Sequence, residues 1–274
     1  ATCGMWPNLS PICAASRWFG GGGSPEGNLA DRGSKTRDAG ETGKTPKPTI
    51  PADTAITVVG GDGEEAAVAD LAAAMAAAMK SNGWVVLHNP KPIELPAAER
   101  NMSSSRGTLR IRAAEGVNPV VIVDLRGGSG FLTAGQGTTL LLNGLKLVGR
   151  YAEKASNPPP LIQWAGPVEL SHCSLTVEGN ARVAGSTAVK MDGGSLKAEN
   201  CWFQGFDTAI DVLAAGGTTT MLTQSMIVPP VQSTGDDPSG WGWGIAMRHY
   251  SGGRAGSERR LILNHCTVAG AGLL

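Results

Sequence analysis

Five ten-residue stretches of this chain are variations on one pattern, and that repetition limits its fold more than any other feature. They read LLLNGLKLVG from residue 140, VELSHCSLTV from 168, LKAENCWFQG from 196, TMLTQSMIVP from 220 and LILNHCTVAG from 261. Each runs apolar, one skipped, apolar, two polar or small residues, and then Leu145, Cys173, Cys201, Ser225 or Cys266. Two residues further on comes Leu147, Leu175, Phe203, Ile227 or Val268, and the aligned positions lie 28, 28, 24 and 41 apart. Alternating apolar residues describe a strand with one buried face. A recurring short unit of this kind describes an array in which each copy is covered by the next.

A second pattern follows the middle copies: LIQWAG at 161, AVKMDGG at 188, AIDVLAAGG at 209 and GIAMRHYSGG at 244. Ile162, Val189, Ile210 and Ile245 take the inward place, and Gln163, Lys190, Asp211 and Ala246 the outward one. Fainter copies are WVVLHN at 84, TLRIRA at 108 and VIVDLRGG at 121. The 39 glycines and 5% aromatic content suit short strands joined by tight turns. Helical repeats would need a 3.6-residue period, and a leucine-rich repeat its LxxLxLxxN frame; the copies keep neither.

The expected fold is therefore all-β, a solenoid of stacked coils over residues 55–274, with one helix at about 64–81 in front of it. That helix is read from EEAAVADLAAAMAAAMKSNG, with Glu64 and Glu65 in the first turn, Lys80 near the end and Gly83 as the stop. Val68, Leu71, Met75 and Met79 make its apolar stripe. Residues 1–54 hold a Gly20–Gly23 run and the Pro-rich TPKPTIP, and are expected to form an irregular arm or linker. Trp6, Trp18 and Phe19 within it are candidate anchors on another surface. An insertion at about 229–256 accounts for the long 41-residue spacing.

The unit of NCxF type followed by a strand of TAIDV type resembles the right-handed parallel β-helix of the pectate-lyase-like superfamily. The Ala-rich helix resembles the one that caps the N-terminal end of those solenoids. The likeness covers about residues 56–274 and rests on inward stack positions, so it implies fold rather than function. A neighbour spacing of about 4.8 Å puts Cys173, Cys201, Ser225 and Cys266 above one another, and free, inert thiols are expected there. The likeness also implies places to look for chemistry. Calcium-dependent pectate lyases carry an acidic cluster on an outer sheet face, and the row Gln163, Lys190, Asp211, Ala246 has none. Polygalacturonase-type hydrolases carry an NTD triplet, an aspartate pair, GHG and an RIK-type triplet. The corresponding stretches here are FDTAIDV, GDD at 235–237, GWG at 242–244 and Arg248, with the histidine replaced by Trp243 and the lysine missing.

The insertion is still the most site-like region. Asp236, Asp237, Trp241, Trp243, Arg248 and His249 lie close together there and suit a sugar ring, which a Trp face stacks on and Arg or carboxylate hydrogen-bonds. Other chemistries find no support. Lys+Arg 23 balances Asp+Glu 23, so no global charge steers the chain to nucleic acid or anionic lipid. No CxxC or His/Cys metal spacing occurs, GGDG lacks the setting of a phosphate loop, and no apolar run approaches a membrane span. No cofactor or metal is therefore expected. His172 beside Cys173 is read as lying on the opposite face of one strand, which rules out a Cys–His nucleophile. Cys3 and Cys13 could close a disulfide loop in an oxidising compartment, pointing to a secreted, periplasmic or cell-surface protein.

The functional expectation is a non-catalytic β-helix module acting as a structural or binding subunit of an assembly. The alternatives are a polysaccharide lyase or hydrolase, and an accessory region of a larger multidomain bacterial protein. The chain opens on Ala1, which suits a processed chain or an excised part. The last copy, LILNHCTV, lacks a following second strand, so Leu261, Leu263, Leu273 and Leu274 are the expected interface with partner subunits.

Overall fold

The computed structural model describes residues 55–89, 91–95, 106–127, 130, 132–134, 137–152, 157–179, 183–214, 217–230, 243–249 and 259–269. Side chains at 214, 243 and 249 are not described. The expected arm, 1–54, lies outside these residues.

The chain enters through β1 (Ile56–Val59), β2 (Glu65–Ala67), α1 (Leu71–Ser81) and β3 (Trp84–Leu87), with β1 antiparallel to both β2 and β3. The helix is shorter than expected, and the reason is local. Glu65–Ala67 pairs with β1, where Thr57 Oγ1 donates to Glu65 Oε1 at 2.9 Å. Asp70 then caps the helix by accepting from the Ala73 amide at 2.7 Å. Asn82 ends it in a left-handed conformation. Gly83 follows where a Cβ would lie 2.2 Å from the Val59 carbonyl oxygen, so only glycine fits. The buried face is Leu71, Ala74, Met75 and Ala78, one step round from the expected stripe, and it packs on β1, β3 and β5 (Gly107–Ala113).

From β3 onward the pairing is parallel. After β4 (Ile93–Glu94), β5 and β6 (Val120–Asp124), the strands fall into groups of three. These are β7 (Leu132–Ala134), β8 (Thr138–Asn143) and β9 (Lys146–Arg150); β10 (Ile162–Trp164), β11 (Val168–Ser171) and β12 (Ser174–Val177). Then come β13 (Val183–Met191), β14 (Leu196–Glu199) and β15 (Trp202–Gln204); β16 (Phe206–Ala214), β17 (Thr219–Thr223) and β18 (Met226–Val228); and β19 (Trp243–His249), β20 (Arg260–Asn264) and β21 (Thr267–Val268). First members make a five-stranded sheet C, second members extend a nine-stranded sheet A, and third members extend a seven-stranded sheet B. The result is a parallel β-solenoid of about four turns.

The register matches the repeat read from the sequence. Leu140, Val168, Leu196, Thr220 and Leu261 stack in sheet A, and Leu147, Leu175, Phe203, Ile227 and Val268 in sheet B. Ile162, Val189, Ile210 and Ile245 stack in sheet C. These side chains are buried through the β16–β18 turn, and in sheet C as far as Ile245. The next inward row of sheet C, through Met191 and Val212, carries Trp164, whose indole donates to the Thr138 carbonyl at 2.8 Å.

Two sequence expectations change. Each ten-residue unit is not one strand but two, broken at a left-handed residue: Gly144, His172, Asn200, Gln224 and His265, with φ between 50° and 70°. Asn and His enter that region more readily than most residues, so the corner needs no glycine. VIVDLRGG likewise falls in sheet B as β6, with Val121 on Leu147. The corner also explains the cysteines. Cys173, Cys201 and Cys266 donate Sγ–H to the carbonyls of Ser171, Glu199 and Asn264, each at 3.3 Å, and Ser225 donates to Thr223 at 2.9 Å. A thiol or hydroxyl therefore caps the carbonyl two residues back as well as filling space. The three thiols are free, as expected.

Candidate functional site

Two places answer to the expected sites. The first is the final turn. In sheet A, one inward row runs Ile111, Leu142, Leu170, Ala198, Leu222 and Leu263. Leu222 is 0% exposed and Leu263 is 37% exposed, although both face inward on adjacent strands. Leu261, Cys266 and Val268 are likewise only partly covered, while their counterparts one turn earlier are buried. Ile262, on the outer face of β20, is also exposed. The step occurs because β20 is the edge of sheet A, and nothing stacks on it among the described residues.

Among the described residues, one side of the β20 backbone has no partner. The Arg260 amide donates to Thr218 O at 3.1 Å, and Asn264 O accepts from the Gln224 amide at 2.8 Å. Backbone groups alternate sides along a strand, so those of Leu261 and Leu263 point away from β17. An edge with free donors, free acceptors and apolar side chains is a template for another strand. Of the expected interface residues, the structure thus brings Leu261 and Leu263 together. Trp6, Trp18, Phe19, Leu273 and Leu274 lie outside the described residues, as do Cys3 and Cys13.

The second place is the outer face of sheet C. The outward row is Gln163, Lys190, Asp211 and Ala246, as read from the sequence. That face is not open, however: Ala188, Ala209 and Ala246 are buried on it, and Asp211 is only 5% exposed. Arg248, two residues beyond Ala246 on β19, puts Nε 2.9 Å from Asp211 Oδ1, and its own side chain is 57% exposed. The contact lies off the N–H direction, leaving that oxygen without a hydrogen-bond partner. Burial lifts the Asp211 carboxyl above its ordinary range, with Arg248 and Lys190 pulling the other way. Asp192 accepts from Gln163 Nε2 at 2.5 Å and lies 3.9 Å from Lys190 Nζ.

Of the expected ligand residues, then, Arg248 meets a carboxylate, but the carboxylate is Asp211. Asp236, Asp237 and Trp241 lie outside the described residues. Trp243 and His249 are placed by backbone alone, opposite Thr208 and Ala214. No group of three or more His, Cys, Asp or Glu side chains among the described residues could hold a metal ion. No helix among them is long and apolar enough to cross a membrane.

Other polar groupings escaped the sequence reading. Arg150 grips Glu178 through Nε at 2.6 Å and Nη2 at 3.0 Å, reaches Glu94 at 3.3 Å, and holds Glu178 below the usual carboxylate range. The pairs join strands 28 and 56 residues apart in sequence, a separation only the stacking register reveals. Thr57 Oγ1 lies 2.9 Å from both Glu65 Oε1 and His88 Nε2, but Thr57 is fully buried and offers no nucleophile to a substrate. His172 sits at a corner, not on a strand, with Nδ1 2.8 Å from Ser171 Oγ and Nε2 3.3 Å from Asn200 Nδ2. The reason for rejecting a Cys–His pair therefore changes. The imidazole is engaged along the outer corner, while the Cys173 thiol donates inward to Ser171 O.

Compared with protein-family models, with curated proteins and with solved structures, the chain has no match in any of the three.

Proposed function

We propose that this chain is a non-catalytic, right-handed parallel β-helix module of the pectate-lyase-like kind. It serves as a subunit of a larger protein assembly and docks through its final turn. One observation carries the reading: the jump in exposure from Leu222 to Leu263 within a single inward row. With 37% of Leu263 still in water, roughly 0.5–1 kcal/mol of burial is forgone at that side chain, and an adjoining unpaired edge invites a strand. The front of the stack supports the same view. There α1 and the antiparallel β1–β2 pair act as a cap, so the two ends differ in kind. The occupant of the final turn is a protein strand with apolar residues at alternate positions, supplied by a separate chain or by a longer bacterial protein of which this is an accessory region. Residence outside the cytoplasm is part of the proposal and rests on Cys3 and Cys13 alone.

The test is a photo-crosslinking residue at position 263 of the full protein in its own cell, with Glu169 as a mid-sheet control. Covalent capture of a defined protein segment at 263 and not at 169 supports the reading; no capture at 263 contradicts it.

The alternative, a polysaccharide lyase or hydrolase, has one observation in its favour. Asp211 is a buried carboxyl raised by its surroundings, beside an exposed arginine, the setting of a general acid. Turnover of an acidic polysaccharide that is lost in Asp211→Asn would establish it.

A further inference from the structure

The final turn can be covered by many strands, and the question is which one its own pattern fits. We infer that β20 pairs antiparallel with β20 of a second copy, forming a tail-to-tail dimer about a two-fold axis at Ile262. This inference rests on the docking role proposed for the final turn and names the partner.

β20 reads Arg260-Leu261-Ile262-Leu263-Asn264, a sequence that is apolar-symmetric about its centre. Turning it antiparallel on itself about Ile262 puts Leu261 opposite Leu263 of the copy, and Ile262 opposite Ile262. Residues directly opposite each other share a face. The inward leucines therefore meet inward leucines, and the outward isoleucine meets its counterpart. Arg260 meets Asn264, so like charges are not brought face to face.

The hydrogen bonds agree with the same centre. Antiparallel strands alternate between residue pairs that exchange both backbone bonds and pairs that exchange none. The free N–H and C=O groups of β20 belong to Leu261 and Leu263, because those of Arg260 and Asn264 serve the β17 side. A two-fold at Ile262 makes each Leu261–Leu263 combination a bonding pair and Ile262–Ile262 a non-bonding one. Every free group then finds a partner. A centre midway between two residues would point bonding groups at residues already committed to β17, and a centre at Leu261 or Leu263 would keep the bonding but leave the other leucine opposite residue 259 or 265.

The opposite end cannot serve as well. A head-to-tail stack would lay β20 on β2, the other edge of sheet A. That strand is three residues, Glu65-Ala66-Ala67, mostly exposed, and Glu65 is held by Thr57. It offers neither the length nor the apolar bulk that Leu261 and Leu263 need. A heterologous contact would also build open filaments, whereas the two-fold contact closes.

The experiment measures the mass of the full chain in solution and maps a designed cross-link. One chain is 28.1 kDa, so the dimer is 2 × 28.1 = 56.2 kDa. Opposed non-bonding residues have Cα atoms about 4.5 Å apart, within disulfide range. Ile262→Cys under mild oxidation is therefore expected to give a covalent dimer whose peptide map contains a 262–262 linkage. Met221→Cys, in the same outer row one strand inside the edge, is expected to give none. Leu263→Pro removes only a free-edge donor and a leucine that is not fully covered, and is expected to yield a folded monomer. A wild-type monomer with no 262–262 linkage overturns the second copy as partner, as do larger oligomers without that linkage. Capture of a different protein at position 263 would then leave the docking role standing, and no capture would end both.

Discussion

Replacing leucine by alanine along one row of sheet A should give a cost that depends on the turn, not on the residue. Leu142, Leu170 and Leu222 are buried in that row, and Leu263 ends it. For the buried three, deletion loses the transfer energy of the removed atoms and leaves a closed cavity, together about 2–5 kcal/mol. For Leu263 only part of the transfer term is at stake. Fully burying a leucine is worth about 1.5–3 kcal/mol; with 37% of Leu263 still exposed, roughly 1–2 kcal/mol remains, and the gap opens to water. The assay is equilibrium urea unfolding followed by circular dichroism, at protein concentrations low enough to keep the chain monomeric. Leu142→Ala, Leu170→Ala and Leu222→Ala should each lower the midpoint well beyond Leu263→Ala. At high concentration the cost of Leu263→Ala should grow, because the proposed self-pairing would bury that side chain. A Leu263→Ala cost equal to that of Leu170→Ala at dilution would refute the exposed final turn.

Other consequences can be checked independently. Asp211 has its carboxyl raised by burial, so the unfolded state ionises first as pH rises past about 4. Folding loses stability from there up to the folded value and keeps that loss at neutral pH; Asp211→Asn should gain on the parent over this interval, and a gap flat with pH would contradict the assignment. Cys201 is pushed up by its Cys173 neighbour and by burial, so a thiol reagent should label the half-exposed Cys266 first, and Cys173 and Cys201 only on unfolding. Labelling of all three at one rate in native buffer would count against the buried ladder. Asn200 holds a left-handed corner, so Asn200→Val should cost about 1–2 kcal/mol while Asn200→Gly stays within about 1 kcal/mol, read from the same urea curves.

What could be read from the sequence was what faces inward. The stacks through Cys173, Cys201, Ser225 and Cys266, and through Ile162, Val189, Ile210 and Ile245, follow from period-2 alternation because a buried row tolerates few residue types. The corners could not be read, since a left-handed His172 or Asn200 leaves the hydropathy pattern unbroken while turning the chain into a new sheet. The helix start was misplaced for a related reason. Glu65–Ala67 has helical propensity, and pairing with β1 overrides it. In the candidate sites, the inward places of Leu261 and Leu263 were legible because they continue the rows of Thr220 and Leu222. The burial of Asp211 was not, because outward alternation says nothing about a face being closed over. The Arg150–Glu178–Glu94 links needed the register between distant turns before they could be seen.

Amide hydrogen exchange at single-residue resolution along β20 tests the docking edge most directly. At dilution the Leu261 and Leu263 amides should exchange quickly, while those of Ile262 and Asn264, directed at β17, stay protected. On raising the concentration of the full chain, the two leucine amides should slow markedly and their neighbours should change little. Leucine amides that are already as protected as Ile262 at the lowest concentration, or that exchange quickly at every concentration, would contradict it.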